Sequence, residues 1–273
     1  MAKESVRQSV IAGSWYPGSA PQLRRTIDGF LDGVTPAELP GELAALIAPH
    51  AGYVYSGPVA AHAYALVRGR KYDLVAIVSP VHRMMMGRLA STDADFYETP
   101  LGRIPVDRVA LDALDKEVGL RYVGQDNEHS LEIQLPFLQH VLLDGFRLLP
   151  VMMGAQEWQD CVSLAKGLAA ALEGRNALLI ASTDLSHFHS QQAAQRLDQV
   201  VLDRVNAFDA EGLSRALAKG STEACGGGPV VAVLLAAQAL GATGAKVLKY
   251  DTSGDVTGDF GSVVGYMAAA IYK

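Results

Sequence analysis

The sequence predicts an α/β fold in which a largely parallel or mixed central sheet carries helices on both faces. Short apolar runs without polar alternation succeed one another along the chain, separated by longer segments of helical periodicity. Hydrophobic residues make up 49% and charged residues 19% of the chain, as in a globular protein. No repeat or linker divides the 273 residues, so we expect one domain over residues 1–273.

The predicted strands are rich in Val, Ile and Leu. Because they lack the alternation of a sheet with one wet face, they indicate strands that are buried on both sides. They span residues 42–48, 73–79, 147–153, 176–182 and 262–271.

The predicted helices lie between these runs, at the spacing expected of βαβ units. They span residues 21–31, 58–68, 107–118, 131–142, 156–172, 193–208, 211–218 and 229–240. Residues 88–105 contain Thr-Pro and Leu-Gly turn signals instead and predict a hairpin or an added sheet edge.

Composition excludes several classes of function. A net charge of −6 gives no electrostatic footprint for nucleic acid or an anionic membrane. The sequence has no membrane-length apolar stretch and no apolar signal-peptide core, and its two cysteines favour a reducing compartment, so we expect a cytoplasmic protein. The sequence has no P-loop, which disfavours a nucleotide enzyme. The motifs H-E-x-x-H, C-x-x-C and G-x-S-x-G are also missing.

Three histidines follow the carboxyl ends of predicted strands. His50 ends ELAALIAPH, His82 ends DLVAIVSPVH, and His187 follows NALLIASTDLS. In open α/β sheets this edge forms the ligand crevice, so we predict that His50 and His82 share a site. Taken singly, each is also compatible with a loop histidine that hydrogen-bonds the backbone.

Cys225 precedes a Gly-Gly-Gly-Pro turn and a predicted helix. A helix N-terminus lowers the pKa of a nearby thiol, which favours a thiolate that acts as metal ligand or nucleophile. The alternative is a small buried side chain beside a tight turn.

A second polar group lies in DNEHSLEIQLPFLQ, from Asp126. His129 and Glu132 are three residues apart and would share a helical face, as an acid/base pair or as partners of ligands. Helix capping alone also explains this pattern. Asp184, close to His187, is suited to orient an imidazole or to ligate a metal.

Six blocks of the sequence resemble the Memo family, described in prokaryotes as AmmeMemoRadiSam system protein B. They read AGSWYPGS from Ala12, IAPHAGYVYSG from Ile47, SPVH from Ser79, DNEHSLEIQLPFL from Asp126, STDLSHF from Ser182 and CGGGPV from Cys225. The resemblance implies a fold related to the class III extradiol dioxygenases, which are non-haem iron enzymes.

The resemblance also implies a metal held by His50, His82 and Cys225. Two imidazoles and a thiolate suit Fe(II) best, and the sulfur also admits Cu or Zn. Where the family usually has G-P-S-H-H, this chain reads SPVHR, so Arg83 replaces a histidine. This difference concerns the substrate contacts and leaves the proposed ligands in place.

We therefore expect a dioxygenase-like oxidoreductase that acts on a small molecule. His187, His129 and Asp184 would serve the catalytic steps, while Tyr53, Tyr55 and Glu132 would contact the substrate. The alternatives are an adaptor that binds a peptide or small ligand without chemistry, and an accessory protein of a radical SAM system. The chain lacks the three-cysteine motif of the radical SAM partner itself. A homodimer is compatible with the sequence.

Overall fold

A mixed nine-stranded sheet forms the centre of the computed structural model, which describes residues 4–83 and 86–273. A smaller three-stranded sheet lies beside it. The strands are β1 (Val6–Arg7), β2 (Leu43–Ala48), β3 (Leu74–Pro80), β4 (Leu89–Thr92), β5 (Phe96–Thr99), β6 (Gly102–Pro105), β7 (Arg121–Val123), β8 (Arg147–Met153), β9 (Ala177–Ser182), β10 (His187–His189), β11 (Gly244–Thr252) and β12 (Val263–Tyr272).

Strands β2, β9, β3 and β8 lie side by side and run parallel. At one end β12 pairs antiparallel with β2 and carries β10 and β11, and at the other β4 pairs antiparallel with β8 and carries β7. The parallel strands are almost entirely buried, as their continuous apolar sequences predict. The predicted α/β class with a mixed sheet is confirmed.

Helices flank the sheet in two groups. The helices are α1 (Ala20–Leu31), α2 (Tyr53–Tyr64), α3 (Arg108–Val118), α4 (Leu135–Val141), α5 (Trp158–Leu172), α6 (Gln191–Asn206), α7 (Ala210–Ala218), α8 (Gly227–Ala239) and α9 (Gly254–Thr257). In one group α5 and α7 pack on α8, which contacts β2, β3 and β9, and α3 packs on α5. In the other group α1 and α4 pack with α2, which contacts β2 and β12. Across the described residues, no helix has the length and apolar character needed to span a membrane.

Helix α2 and strand β11 differ from the sequence-based elements. Helix α2 starts at Tyr53 rather than at residue 58, and Pro58 lies within it, where a proline removes one backbone hydrogen bond. The added first turn is buried in part through Tyr53, whose ring lies 4.9 Å from that of Phe137. Strand β11 was not predicted because its lysines and aspartate interrupt the apolar pattern. Residues 88–105 form both of the predicted alternatives, a hairpin, β5–β6, and a strand, β4, that adds to one side of the large sheet.

A buried ion-pair network ties the N-terminal strand to the loop before α4. Arg7 is 1% exposed, and its guanidinium contacts the carboxylates of Asp126, at 2.6 Å, and of Glu132. It also donates a 2.6 Å hydrogen bond to the carbonyl oxygen of Glu128. The Glu132 carboxylate accepts further hydrogen bonds from the hydroxyls of Ser9 and Tyr16. Glu132 therefore fixes the chain between residues 7 and 16.

Candidate metal centre

The site lies where three adjacent parallel strands end. Strand β9 lies between β2 and β3, and His50, His82 and Asp184 each come two residues after the end of their strand. The strands that lead to His50, His82 and Ser182 are thus neighbours in one sheet, as a shared site for His50 and His82 requires. The carboxyl edge of the sheet brings the three side chains together.

A histidine cluster, which we define as His50, His82 and His129, forms the centre of this site. One ring nitrogen of each of these residues lies within 4.8 Å of the others. The ring centroids are 4.8–5.7 Å apart. His50 and His129 are buried, while the side chain of His82 is 28% exposed. The third member, His129, was predicted to serve proton transfer; its ring nitrogen lies among those that could hold a metal ion.

The orientation of the His50 ring is set by a hydroxyl at the end of β9. Nδ1 of His50 lies 3.0 Å from the hydroxyl oxygen of Ser182. That hydroxyl donates its one proton to the carbonyl oxygen of Ser130 and accepts from the side-chain amide of Gln134. Nδ1 of His50 must therefore be the donor. Nε2 of His50 is left with a lone pair that is available to a cation.

Glu128 orients the other two rings. One carboxylate oxygen accepts from the backbone N–H of His82 at 2.6 Å, and the other lies 3.1 Å from its Nδ1. Nδ1 of His129 also lies 3.1 Å from that second oxygen, although it has no aligned hydrogen-bond partner there. Because Nδ1 of both rings faces Glu128, Nε2 of both is the nitrogen left for a metal. Burial alone would raise the pKa of Glu128, but its contacts with His129 and His82 hold that pKa well below its usual range.

The His50 imidazole is neutral at physiological pH. Its complete burial lowers its pKa well below the ordinary value, and the neighbouring His82 and His129 lower it further. A neutral imidazole is the form of histidine that binds metals. The neutral charge of His50 and the orientation of its ring therefore both favour metal binding through Nε2.

Cys225 lies against His50, with its sulfur 3.0 Å from Nε2. One ring nitrogen of each of the three histidines lies within 4.8 Å of the others, and the sulfur of Cys225 is not part of that group. The pKa of Cys225 is raised, first by burial and then by the Asp184 carboxylate. The prediction that the helix N-terminus lowers this pKa is therefore wrong, because burial destabilises the thiolate more than the helix dipole stabilises it. The thiol stays protonated unless a cation replaces its proton.

Asp184 lies beneath the cluster and is buried. It accepts a 2.7 Å hydrogen bond from the backbone N–H of His50, and its other oxygen lies 4.0 Å from Nε2 of that residue. Burial raises the pKa of Asp184 to about 6. A carboxyl group that titrates near neutral pH is suited to exchange protons.

A cavity of about 470 Å³ opens above the cluster. His187 lies on its wall, and its Nδ1 is 2.8 Å from the carbonyl oxygen of Leu185, which assigns the proton to Nδ1 and leaves Nε2 as a base. Phe188, the next residue, is 78% exposed and has φ +63°, a left-handed conformation that is costly for a bulky side chain. The lining residues are Ser14, Trp15, His50, Ala51, Gly52, Val54, Tyr55, His82, His129, Asp184, His187, Val264 and Tyr266.

The residues expected to contact a substrate divide into two groups. Tyr55 lines the cavity and is 41% exposed. Tyr53 is buried and donates its hydroxyl proton to the carbonyl oxygen of Ile133, and Glu132 is fully buried against Arg7. Neither Tyr53 nor Glu132 lines the cavity. Both side chains lie behind the wall of the cavity. Tyr53 points from α2 into the protein interior, and the carboxylate of Glu132 is paired with Arg7.

Two residues at the site were not identified from the sequence. Glu128 immediately precedes His129, and no spacing rule predicts that its carboxylate folds back onto both His82 and His129. Trp15 packs its ring 4.3 Å from the imidazole of His129 and lines the cavity. The only sequence signal for Trp15 was its place in the AGSWYPGS block.

Replacing Glu128 by glutamine is expected to lower the affinity for Zn²⁺ about 10–100-fold. The amide keeps the size of the side chain but removes the negative charge that orients the two imidazoles. Competition with a chromophoric chelator measures the affinity, with Glu117→Gln on α3 as the charge-matched control. Equal affinities for Glu128→Gln and the unmodified protein would contradict this function for Glu128.

Comparison with known proteins agrees with the resemblance carried by the sequence blocks. The family model described as Memo-like protein matches residues 7–270. A MEMO1 family protein from Methanopyrus kandleri is 36% identical over 98% of this chain and 99% of its own length. Another, from Methanothermobacter thermautotrophicus, is 38% identical over 96% of this chain and 98% of its own length. Matches of this extent, together with the arrangement of histidines at the sheet edge, show that the chain belongs to the Memo family.

Proposed function

We propose that this protein is a metal-dependent oxidoreductase that acts on a small organic molecule. The observation that carries the proposal is the histidine cluster, in which three imidazoles turn one nitrogen each toward a common point. Nδ1 of each ring faces an oxygen atom of the protein, the hydroxyl of Ser182 for His50 and the carboxylate of Glu128 for His82 and His129. Such outer partners are typical of metal-binding histidines.

The residues present fit a metal ion. Bonds of about 2.0–2.2 Å require ligand nitrogens roughly 3–4 Å apart, and one ring nitrogen of each cluster residue lies within 4.8 Å of the others. His50 and His82 would supply nitrogen ligands, as the sequence predicts, and His129 a third. Cys225 would add its sulfur next to His50 once its proton is displaced.

We assign Fe(II) as the first choice of metal, with Cu or Zn as alternatives. Nitrogen ligands with open positions suit non-haem Fe(II), and the sulfur of Cys225 would also support Cu(I) or Zn²⁺. Bound Fe(II) would supply redox chemistry with O₂ and an organic substrate. The free cysteines and the absence of a membrane-spanning helix in the described segments are in keeping with a cytoplasmic site of action.

The remaining polar residues of the cavity would handle protons and position the substrate. Nε2 of His187 has a free lone pair and would accept a proton from a substrate hydroxyl group. Asp184, with its raised pKa, would exchange a proton near neutral pH. Tyr55 and Trp15 would pack against the apolar part of the substrate and displace water from it.

Anaerobic purification followed by metal analysis tests the first half of the proposal, with about one iron per chain as the expected result. Oxygen uptake by the Fe(II)-loaded protein with a panel of catechols tests the second half. Uptake that requires both metal and catechol supports the oxidoreductase. Stoichiometric metal without turnover of any panel member would direct the function toward ligand binding, and a protein that binds no metal would overturn the proposal.

A further inference from the structure

The segment that carries His187 has little regular secondary structure to hold it. Strand β10 spans only His187–His189, and its pairing with β12 shifts register between these two residues. The residue between them, Phe188, has φ +63°. Because the strand pairing next to His187 is irregular, other contacts must fix the ring that lies on the cavity wall.

Asp198 supplies such a contact from helix α6. Its side chain is fully buried and accepts a 2.9 Å hydrogen bond from the backbone N–H of Ser186, the residue before His187. Its second carboxylate oxygen accepts a 2.7 Å hydrogen bond from the hydroxyl of Tyr250 on β11. A buried backbone N–H without a partner is costly, so the carboxylate satisfies this N–H and fixes the chain at Ser186.

A glycine of β12 leaves room for this carboxylate. A Cβ atom on Gly265 would overlap Oδ2 of Asp198, and the three heavy atoms nearest to it all belong to that carboxyl group. The backbone of Gly265 accepts from the N–H of Leu185 at 2.8 Å and donates to the carbonyl oxygen of Ser186 at 3.0 Å. Nδ1 of His187 lies 2.8 Å from the carbonyl oxygen of Leu185, so the partner of the ring belongs to the segment that Asp198 and Gly265 hold.

We propose that Asp198 is a positioning residue for His187. By fixing the backbone at Ser186, it keeps Nδ1 of His187 on the carbonyl oxygen of Leu185 and leaves Nε2 as the proton acceptor. Asp198 lies outside the residues that line the cavity, so it acts as a hydrogen-bond acceptor for the backbone and does not touch the substrate. The inference deepens the proposed function, because it rests on the proton-accepting role of His187 there.

The tautomer of His187 in the metal-free protein tests the proposal. It is read from the ring nitrogen chemical shifts of protein that contains ¹⁵N-labelled histidine, at mildly alkaline pH, with the signals assigned through His187→Gln. The unmodified protein is expected to show the Nδ1–H form. Asp198→Ala is expected to lose this form as the main species, because the hydrogen bond at Nδ1 decides the tautomer. Asp198→Asn keeps an acceptor oxygen for Ser186 and is expected to retain the Nδ1–H form.

Asp107→Ala supplies the matched structural control. Asp107 is also buried and accepts a 2.9 Å hydrogen bond from a backbone N–H, that of Ala110 in α3. Its replacement is expected to lower the midpoint of thermal unfolding, as Asp198→Ala does, but to leave the tautomer of His187 unchanged. Gly265→Ala displaces the Asp198 carboxylate without removing it, so the same loss of the Nδ1–H form is expected there, even where Asp198→Ala does not fold.

An Nδ1–H form that persists in Asp198→Ala or in Gly265→Ala would overturn the proposal, as would an Nε2–H form in the unmodified protein. Loss of the Nδ1–H form in Asp198→Asn would assign the effect to the charge of Asp198 and would overturn it as well. These measurements require neither bound metal nor turnover. A protein that binds no metal would therefore reject the proposed function without changing the outcome for Asp198.

Discussion

Replacing Arg7 by methionine is expected to lower the free energy of unfolding by about 3–5 kcal/mol. The guanidinium is 1% exposed and is the cationic partner of the buried Asp126 and Glu132 carboxylates. Without it, two negative charges remain buried, and the segment up to Tyr16 loses its connection to the loop before α4. Urea unfolding followed by circular dichroism measures the change.

Arg103→Met supplies the matched control for this substitution. Arg103 is half exposed and pairs with Glu98 at 3.1 Å, so its loss is expected to cost no more than about 1 kcal/mol. Adding Asp126→Asn and Glu132→Gln to Arg7→Met should restore part of the lost stability, because the unpaired charges are then removed. A loss of less than about 1 kcal/mol in Arg7→Met would contradict the importance assigned to the network.

Replacing His50 by alanine is expected to reduce Zn²⁺ and Fe²⁺ affinity by at least about a hundredfold, more than the loss of an orienting carboxylate. His50 combines a lowered pKa with a ring orientation fixed by Ser182, so its Nε2 is the best prepared of the three candidate ligands. Anaerobic chelator competition measures the affinities, and thermal unfolding of the metal-free proteins verifies that the variant is folded.

His62→Ala is the control for the removal of an imidazole. His62 lies on α2, outside the residues that line the cavity, so its replacement is expected to leave metal affinity unchanged. If His50→Ala retained the affinity of His62→Ala, the histidine cluster would not be the metal site.

The sequence was sufficient to predict the parallel strands at the centre of the sheet and the edge where the candidate site lies. Buried parallel strands need continuous apolar runs, and those runs locate β2, β3 and β9 to within one residue. Because ligand sites follow the carboxyl ends of such strands, His50 and His82 could be assigned to one site before any coordinates were known.

The remaining features depend on contacts between distant segments. The carboxylate of Glu128 reaches His82 because its loop is held at the end of β3, where the Ser130 hydroxyl donates a hydrogen bond to the carbonyl oxygen of Pro80. Glu132 has the same residue type and a similar position in the sequence, yet Arg7, more than a hundred residues away, holds it behind the cavity wall. For Cys225, local helix geometry predicted a lowered pKa, and burial by the rest of the fold reversed the sign.

The place of β9 in the sheet sets an order of events during synthesis of the chain. The strand lies between β2 and β3, yet it is translated after both of them and after all three cluster histidines. A nascent chain that ends before Ala177 carries every histidine of the cluster but has neither the strand that separates β2 from β3 nor the Ser182 hydroxyl that orients His50. The histidine cluster can therefore reach the arrangement described above only after β9 has inserted between β2 and β3.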